Sequence, residues 1–84
     1  MFESNDYILD YATYNNTLFV TARDNKTSKL YKVSNRQNTI LMSANYSGAY
    51  RGIEIHSSGH TVMHVVEDSK CKIKIFKRPV EEQI

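Results

Sequence analysis

Short runs of alternating apolar and polar residues cover most of the chain, and each run ends in a cluster of Asn, Ser, Gly, Asp or Lys. A period of two places successive side chains on opposite faces of a β-strand. Threonine, valine, isoleucine and tyrosine fill the runs, as is typical of strands. No window of helical length keeps an apolar stripe at i, i+3, i+4 and i+7. We therefore predict an all-β protein, an antiparallel meander of about seven strands at roughly 7–13, 17–23, 29–34, 39–44, 50–56, 60–67 and 71–77.

The chain also repeats itself with a period in the low forties. Residues 7–33 align with residues 50–75 in strand length and turn position, and Asp24 falls on Asp68. One or two residues are lost from the second repeat, in the turn after the aspartate. A repeat of this length with about four strands per unit is typical of a propeller blade.

Both repeats resemble blades of the WD-repeat class. Each has an apolar strand, a turn (S-x-x-G-like in the second repeat), a second strand, a D-S-K-like turn and a third strand. The chain has no tryptophan, so the Trp-Asp dipeptide that names the class is absent. The resemblance implies a protein-binding platform without catalysis. Because propellers have about four to eight blades, two repeats predict either a ring of several copies or a small β-barrel or sandwich within one chain.

The length and charge of the chain limit its organisation and location. Its 84 residues allow one domain, 1–84, with repeat one at about 7–45 and repeat two at about 50–84. A single cysteine and a start, MFESNDYILD, without the pattern of a secretory leader predict an intracellular, cytoplasmic protein. No apolar stretch approaches the ~18–20 residues that cross a bilayer, so we expect no membrane contact. A net charge of +2, from 11 basic and 9 acidic residues, does not suggest a general nucleic-acid binder.

The segment HSSGHTVMH (residues 56–64) has the spacing of metal ligands on a helix. Gly59 and the two serines disfavour a helix, and the repeat places the segment on a hairpin. On a strand, His60 and His64 would lie roughly 13 Å apart, whereas zinc ligands need to lie ~2 Å from one ion. His56 and His60 give two ligands at most. We predict a strand–turn–strand without a metal site.

The sequence offers no catalytic set. Cys71 would need an adjacent base to act as a nucleophile, and it shares strand parity with Ile73 and Ile75, which predicts a core position. The three glycines form no phosphate-binding loop. We therefore expect no enzymatic activity and no cofactor.

A row of basic residues lies near the C-terminus. At strand spacing Lys70, Lys72 and Lys74 line one face in steps of roughly 6.7 Å, and Lys77 and Arg78 follow. Such a row can contact nucleic-acid phosphates, but lysines on a terminal strand also protect a sheet edge from unwanted pairing. The second interpretation is favoured, and nucleic-acid binding is the alternative.

Tyrosines surround the Asn-rich and Ser-rich turns, a composition typical of binding loops. The stretch SANYSGAYRG (residues 43–52) is the densest case, although it also links the two repeats and could be a plain connector. The candidate protein-binding residues are Tyr46, Tyr50, Arg51, Tyr11 and Tyr14. We expect self-association or a tight partner to bury this surface together with Ile8 and Leu9.

These patterns predict a small non-catalytic protein that acts by binding another protein, as an inhibitor or adaptor of the kind that phages and viruses encode. A homo-oligomer is a further expectation. The alternatives are a nucleic-acid-binding module that uses the lysine row and a small oligomeric lectin with tyrosine-lined pockets between the repeats.

Overall fold

The structure, a computed structural model, describes residue 2 and residues 4–76. This part of the chain is all β, and the sequence prediction of seven strands is confirmed with bounds that differ by at most two residues. The strands are β1 (Tyr7–Tyr14), β2 (Thr17–Arg23), β3 (Ser28–Ser34), β4 (Gln37–Ala44), β5 (Tyr50–Ile55), β6 (Thr61–Glu67) and β7 (Lys70–Phe76). Among these described residues, no helix is long and apolar enough to span a membrane.

The strands form two antiparallel sheets, and neighbours in each sheet are consecutive in sequence. One sheet has the order β1-β2-β3-β4 and the other β5-β6-β7, so the described strands form two open sheets rather than one closed sheet. We call them sheet 1 and sheet 2. They approach each other most closely where β5 lies against β1 and β2.

Tight turns set the strand register. Asn15-Asn16, Asn35-Arg36 and Asp68-Ser69 are two-residue hairpin turns in which every residue has a positive φ. This is the conformation that matches the twist of the flanking strands, and Asn and Asp tolerate it better than most side chains. The turn at residues 24–27 is two residues longer than its counterpart at 68–69, in agreement with the loss predicted after the aspartate.

The longer turn is organised by the carboxylate of Asp24. It accepts the backbone N–H groups of Lys26 and Thr27, both at 2.7 Å, and the Thr27 hydroxyl at 2.9 Å. These hydrogen bonds, aided by the charge of Lys29, lower the pKa of Asp24 to about 2. The carboxylate therefore fixes the path from β2 to β3.

The hydrophobic core lies between the two sheets. Its buried members are Phe19, Leu30, Ala49, Tyr50, Ile53, Met63 and Val65. From β1, Ala12 and Tyr14 pack against this core, whereas Leu9 and Tyr11 are 41% and 67% exposed. The alignment of the two repeats sets Leu9 and Tyr11 against Ile53 and Ile55 and predicts that they face the core, and this prediction is wrong.

The parity predicted for β7 is also wrong. Cys71 is exposed, and Ile73 and Ile75 are 63% and 65% exposed. The neighbouring strand β6 buries Met63 and Val65, whose partners on β7 are Lys74 and Lys72. Residues that are directly opposite share a face, so the lysines lie on the inner face and Cys71 on the outer one.

Phe2 and Asp6 lie over the outer face of sheet 1. The Phe2 ring meets the Tyr31 ring edge-on, with centroids 5.0 Å apart. The Asp6 carboxylate accepts hydrogen bonds from the Tyr31 hydroxyl and from Lys29 Nζ, both at 3.1 Å. Val20, the partner of Tyr31 in the ladder, is buried on this face.

Candidate protein-binding surface

The connector between the sheets, residues 45–49, is held in place by hydrogen bonds at several points. The Ser28 hydroxyl is fully buried and donates toward the carbonyl oxygens of Tyr46 and Ser47, at 2.8 and 2.7 Å, while it accepts the Ala49 N–H at 3.1 Å. The Ala49 carbonyl in turn accepts the Val66 N–H at 2.7 Å. The connector is therefore fixed to β3 of sheet 1 and to β6 of sheet 2.

Tyr46 stands out from this fixed connector. Tyr46 is 54% exposed, and its ring lies over Gly48, where an added Cβ would lie 3.1 Å from two ring carbons and from the hydroxyl oxygen. Anchoring of the backbone by Ser28 and support of the ring by Gly48 hold an aromatic side chain at the surface. Such a side chain offers a large contact area with little loss of conformational entropy on binding.

Two β-bulges bring further side chains beside Tyr46. The register of β1 and β2 shifts between Ile8 and Asp10, which leaves Leu9 without a partner. The register of β5 and β6 shifts between Tyr50 and Gly52, which leaves Arg51 without a partner. Bulges redirect side chains and often lie next to functional sites.

Leu9 and Arg51 line the same small hollow, which we call the Tyr46 hollow. Its volume is about 200 Å³, and its lining residues are Leu9, Arg23, Tyr46, Ser47, Gly48 and Arg51. It thus combines the end of β2, both bulges and the connector. The sequence pointed to Tyr46, Arg51 and Leu9 as parts of one contact surface but missed Arg23.

The two arginines of the hollow are positioned by neutral groups. The Arg23 guanidinium carbon lies 5.1 Å from the centroid of the Tyr7 ring, in a cation–π contact. Arg51 Nε donates to the Gly48 carbonyl at 3.3 Å. Among the residues that the structure describes, neither arginine forms an ion pair.

An apolar cleft of about 540 Å³ opens between the sheets on the other side of Tyr46. Its apolar lining includes Met42, Ala44, Ala49, Met63, Val65 and Phe76. The Tyr50 ring lies at its polar end. The pKa of the Tyr50 hydroxyl is raised, mainly by burial; the charge of Lys74 opposes this shift and that of Glu67 adds to it. Lys74 forms an ion pair with Glu67 and lowers the pKa of that carboxyl. A volume of this order is sufficient for a few apolar side chains.

The remaining predicted contact tyrosines are dispersed. Tyr11 is exposed on β1, and Tyr14 is half-buried against the core. Tyr50 belongs to the core at 8% exposure. Of the five predicted contact residues, the structure brings Tyr46 and Arg51 together at the hollow and Tyr46 and Tyr50 together at the cleft.

The lysine row lies on β7, the edge strand of sheet 2. Lys70 and Lys72 are exposed, and Lys74 is engaged with Glu67 at the cleft. Lys77 and Arg78, the other members of the predicted nucleic-acid contact, lie outside the described residues.

The histidine segment is a hairpin, as predicted. The His56 N–H donates to the His60 carbonyl at 2.9 Å, and the Gly59 N–H donates to the His56 carbonyl at 2.8 Å. His64 is half-buried on the outer face of β6, which it shares with Val62 and Val66. Within the described part of the chain, no group of three or more His, Cys, Asp or Glu side chains is arranged to hold a metal ion.

Comparison with known protein families, with curated proteins and with solved structures found no match to this chain.

Proposed function

We propose that this chain is a non-catalytic protein that binds another protein through the Tyr46 hollow. The observation that carries the proposal is the convergence of two β-bulges, from different sheets, on one exposed and firmly anchored tyrosine. Tyrosine and arginine are the residue types that most often dominate protein interfaces. Their rigid placement reduces the entropy lost on binding.

The apolar cleft supports the same function. Tyr46 lines both the hollow and the cleft, so one partner can contact both. Met42 and Met63 in the cleft are flexible and polarisable, which suits them to accept an apolar side chain of the partner. The resemblance of both repeats to WD-repeat blades points to the same class of function. An inhibitor or adaptor role remains the form of binding that we favour for so small a chain.

The alternative functions receive less support. The nucleic-acid interpretation depends on the lysine row, and one of its members, Lys74, is already paired with Glu67. The lectin interpretation requires tyrosine-lined pockets between repeats. Tyr46 and Tyr50 do line the cleft, but the rest of its lining is mainly apolar, which suits an apolar side chain better than a sugar.

Photo-crosslinking tests the proposal. A photo-reactive aromatic amino acid replaces Tyr46 in one version of the chain and the exposed Thr39 on β4 in a control version. In extract of the producing cells we expect position 46 to give a discrete protein adduct. An excess of unlabelled wild-type chain should suppress this adduct, whereas an excess of Tyr46→Ala should not. Equal labelling from position 39, or equal suppression by both competitors, would contradict the proposal.

A further inference from the structure

The Tyr46 hollow has two positive charges and no countercharge. Arg23 and Arg51 line it from different sheets, and none of its described lining residues is acidic. Each guanidinium is oriented by a neutral group, the Tyr7 ring for Arg23 and the Gly48 carbonyl for Arg51. Elsewhere in sheet 1 a half-buried cation does have carboxylates nearby: Lys29 Nζ lies 3.1 Å from the Asp6 carboxylate and 3.6 Å from that of Asp24.

These contacts leave most donors of both arginines free. A guanidinium carries five N–H donors in a planar fork that matches a carboxylate, and Arg51 uses one of them for the Gly48 carbonyl. Hydrogen bonds between such ions are shorter and stronger than those between neutral groups. The free N–H donors in the hollow can therefore bind anionic oxygen atoms.

The rest of the lining is apolar or small. Leu9 is 41% exposed and lines the same hollow as Tyr46, together with Ser47 and Gly48. An occupant that satisfies every part of this lining carries negative charge for the two arginines and an apolar group for Leu9 and the Tyr46 ring.

We propose that the Tyr46 hollow binds an acidic peptide segment of the protein partner, with carboxylates on Arg23 and Arg51 and an apolar side chain against Leu9 and Tyr46. This inference rests on the proposed function and gives the partner's chemistry.

A peptide fits better than a nucleic acid. Proteins that bind single strands combine a cationic groove with several aromatic side chains on which successive bases stack. The hollow is about 200 Å³, has one lining aromatic residue, and includes the apolar Leu9 in its lining. The chain as a whole has a net charge of only +2.

A selection from a random peptide library, displayed on phage and panned against the immobilised full-length chain, tests the proposal without assuming a sequence. Selected peptides are then synthesised, and their Kd values are measured for wild type, Arg51→Glu and Arg36→Glu. Arg36 is the matched control, because it is exposed in the β3–β4 turn, at the end of sheet 1 opposite Arg23.

We expect the selected peptides to be rich in Asp and Glu next to an apolar residue. Their affinity should fall about tenfold or more in Arg51→Glu and stay within about twofold in Arg36→Glu, because reversal of one contacting charge creates local repulsion. Tyr46→Ala should weaken the same peptides, and added salt should do so too.

Two other results would overturn the inference, and they differ in what they say about the proposed function. Neutral or basic peptides that need Tyr46 but bind Arg51→Glu normally would remove the acidic partner and keep protein binding at the hollow. Failure to enrich any peptide that Tyr46→Ala weakens would remove both. A mixed-sequence single-stranded oligonucleotide that binds more tightly than every peptide, and is lost in Arg51→Glu, would overturn the peptide in favour of nucleic acid.

Discussion

The Asp10 carboxylate of β1 accepts the backbone N–H of Ile53 in β5, with an oxygen–nitrogen distance of 2.9 Å. Ile53 is a buried core residue on an edge strand, so its N–H would otherwise lack a partner on the free side of sheet 2. Asp10 directly follows the bulge at Leu9, and its other oxygen accepts the Tyr11 N–H at 2.8 Å. The bulge that exposes Leu9 in the Tyr46 hollow is therefore next to the residue that ties the two sheets together.

Asp10→Ala should destabilise the protein by about 1–3 kcal/mol, the usual penalty for a buried N–H that loses its acceptor. Asp10→Asn keeps an oxygen acceptor and should lose less. Urea unfolding of the three proteins measures both effects. Equal stability of wild type and Asp10→Ala would show that the bond to Ile53 does not hold the sheets together.

Ser28→Ala should loosen the connector, because the buried hydroxyl donates toward two carbonyl oxygens and accepts the Ala49 N–H. We expect a loss of about 1–3 kcal/mol in unfolding free energy and faster hydrogen exchange at Ala49. The exposed Ser43 on β4 provides the control, since Ser43→Ala should change stability by less than about 0.5 kcal/mol. Unchanged exchange at Ala49 in Ser28→Ala would mean that other contacts fix the connector.

Thr61→Val should stabilise the protein by about 1 kcal/mol, because it replaces a buried hydroxyl that has no hydrogen-bond partner among the described residues by a methyl group of similar size. The matched variant is Thr21→Val. Thr21 is equally buried, but its hydroxyl donates to the Asp10 carbonyl at 3.5 Å, so its removal should not stabilise. Thermal unfolding of both variants shows whether Thr61→Val raises the unfolding free energy and Thr21→Val does not.

Acid should weaken the fold through Asp24. Hydrogen bonds in the turn lower its pKa from 3.8 in the unfolded chain to about 2 in the folded one. The ionised carboxylate therefore stabilises the fold fully above pH 3.8, and this contribution is lost as the pH falls toward 2. Asp24→Asn keeps an acceptor but cannot ionise, so the stability difference from wild type should be constant near neutral pH and shrink in acid. A difference that is the same from about pH 5 down to about pH 2 would contradict the assignment.

The strands were predictable from the sequence because alternation and turn chemistry are local properties. Asn15, Asn16 and Asp68 are of residue types that tolerate positive φ, and their turns separate runs with a period of two. The second repeat has fewer residues after its aspartate, and its turn at 68–69 is correspondingly shorter than the turn at 24–27.

The faces of the edge strands were not predictable in the same way. The bulge at Leu9 adds one residue to β1 and so reverses the parity that alternation alone assigns. On β6, Met63 and Val65 face the core while Val62 and Val66 lie on the opposite face, so apolar character does not identify the inner side. The face of β7 then follows from the packing of sheet 2 on sheet 1, which is a non-local contact.

The candidate site contains residues that were predictable from local sequence and one that was not. Tyr46 and Arg51 belong to a stretch whose composition indicated binding. Arg23 lies more than twenty residues earlier in the chain, and only the pairing of β1 with β2 brings it beside the bulge at Leu9.

Truncation of the two central tyrosines should have opposite consequences. Tyr50→Ala removes a ring from the core and should lower the unfolding free energy by about 3–5 kcal/mol. Tyr46→Ala removes a mainly exposed ring and should change it by less than about 0.5 kcal/mol, while weakening partner binding by ~1–3 kcal/mol. Urea unfolding and calorimetric titration with a selected peptide separate stability from binding.

Gly48→Ala is the control for the position of the Tyr46 ring. The new Cβ would lie 3.1 Å from the ring atoms, so the ring must move, and an exposed side chain can do so without loss of core packing. We expect near wild-type stability and weaker binding, as in Tyr46→Ala. Normal binding by Gly48→Ala together with loss in Tyr46→Ala would show that the partner needs the ring but not its present orientation. Normal binding by both variants would remove Tyr46 from the interface, because the partner would then have to contact a different surface.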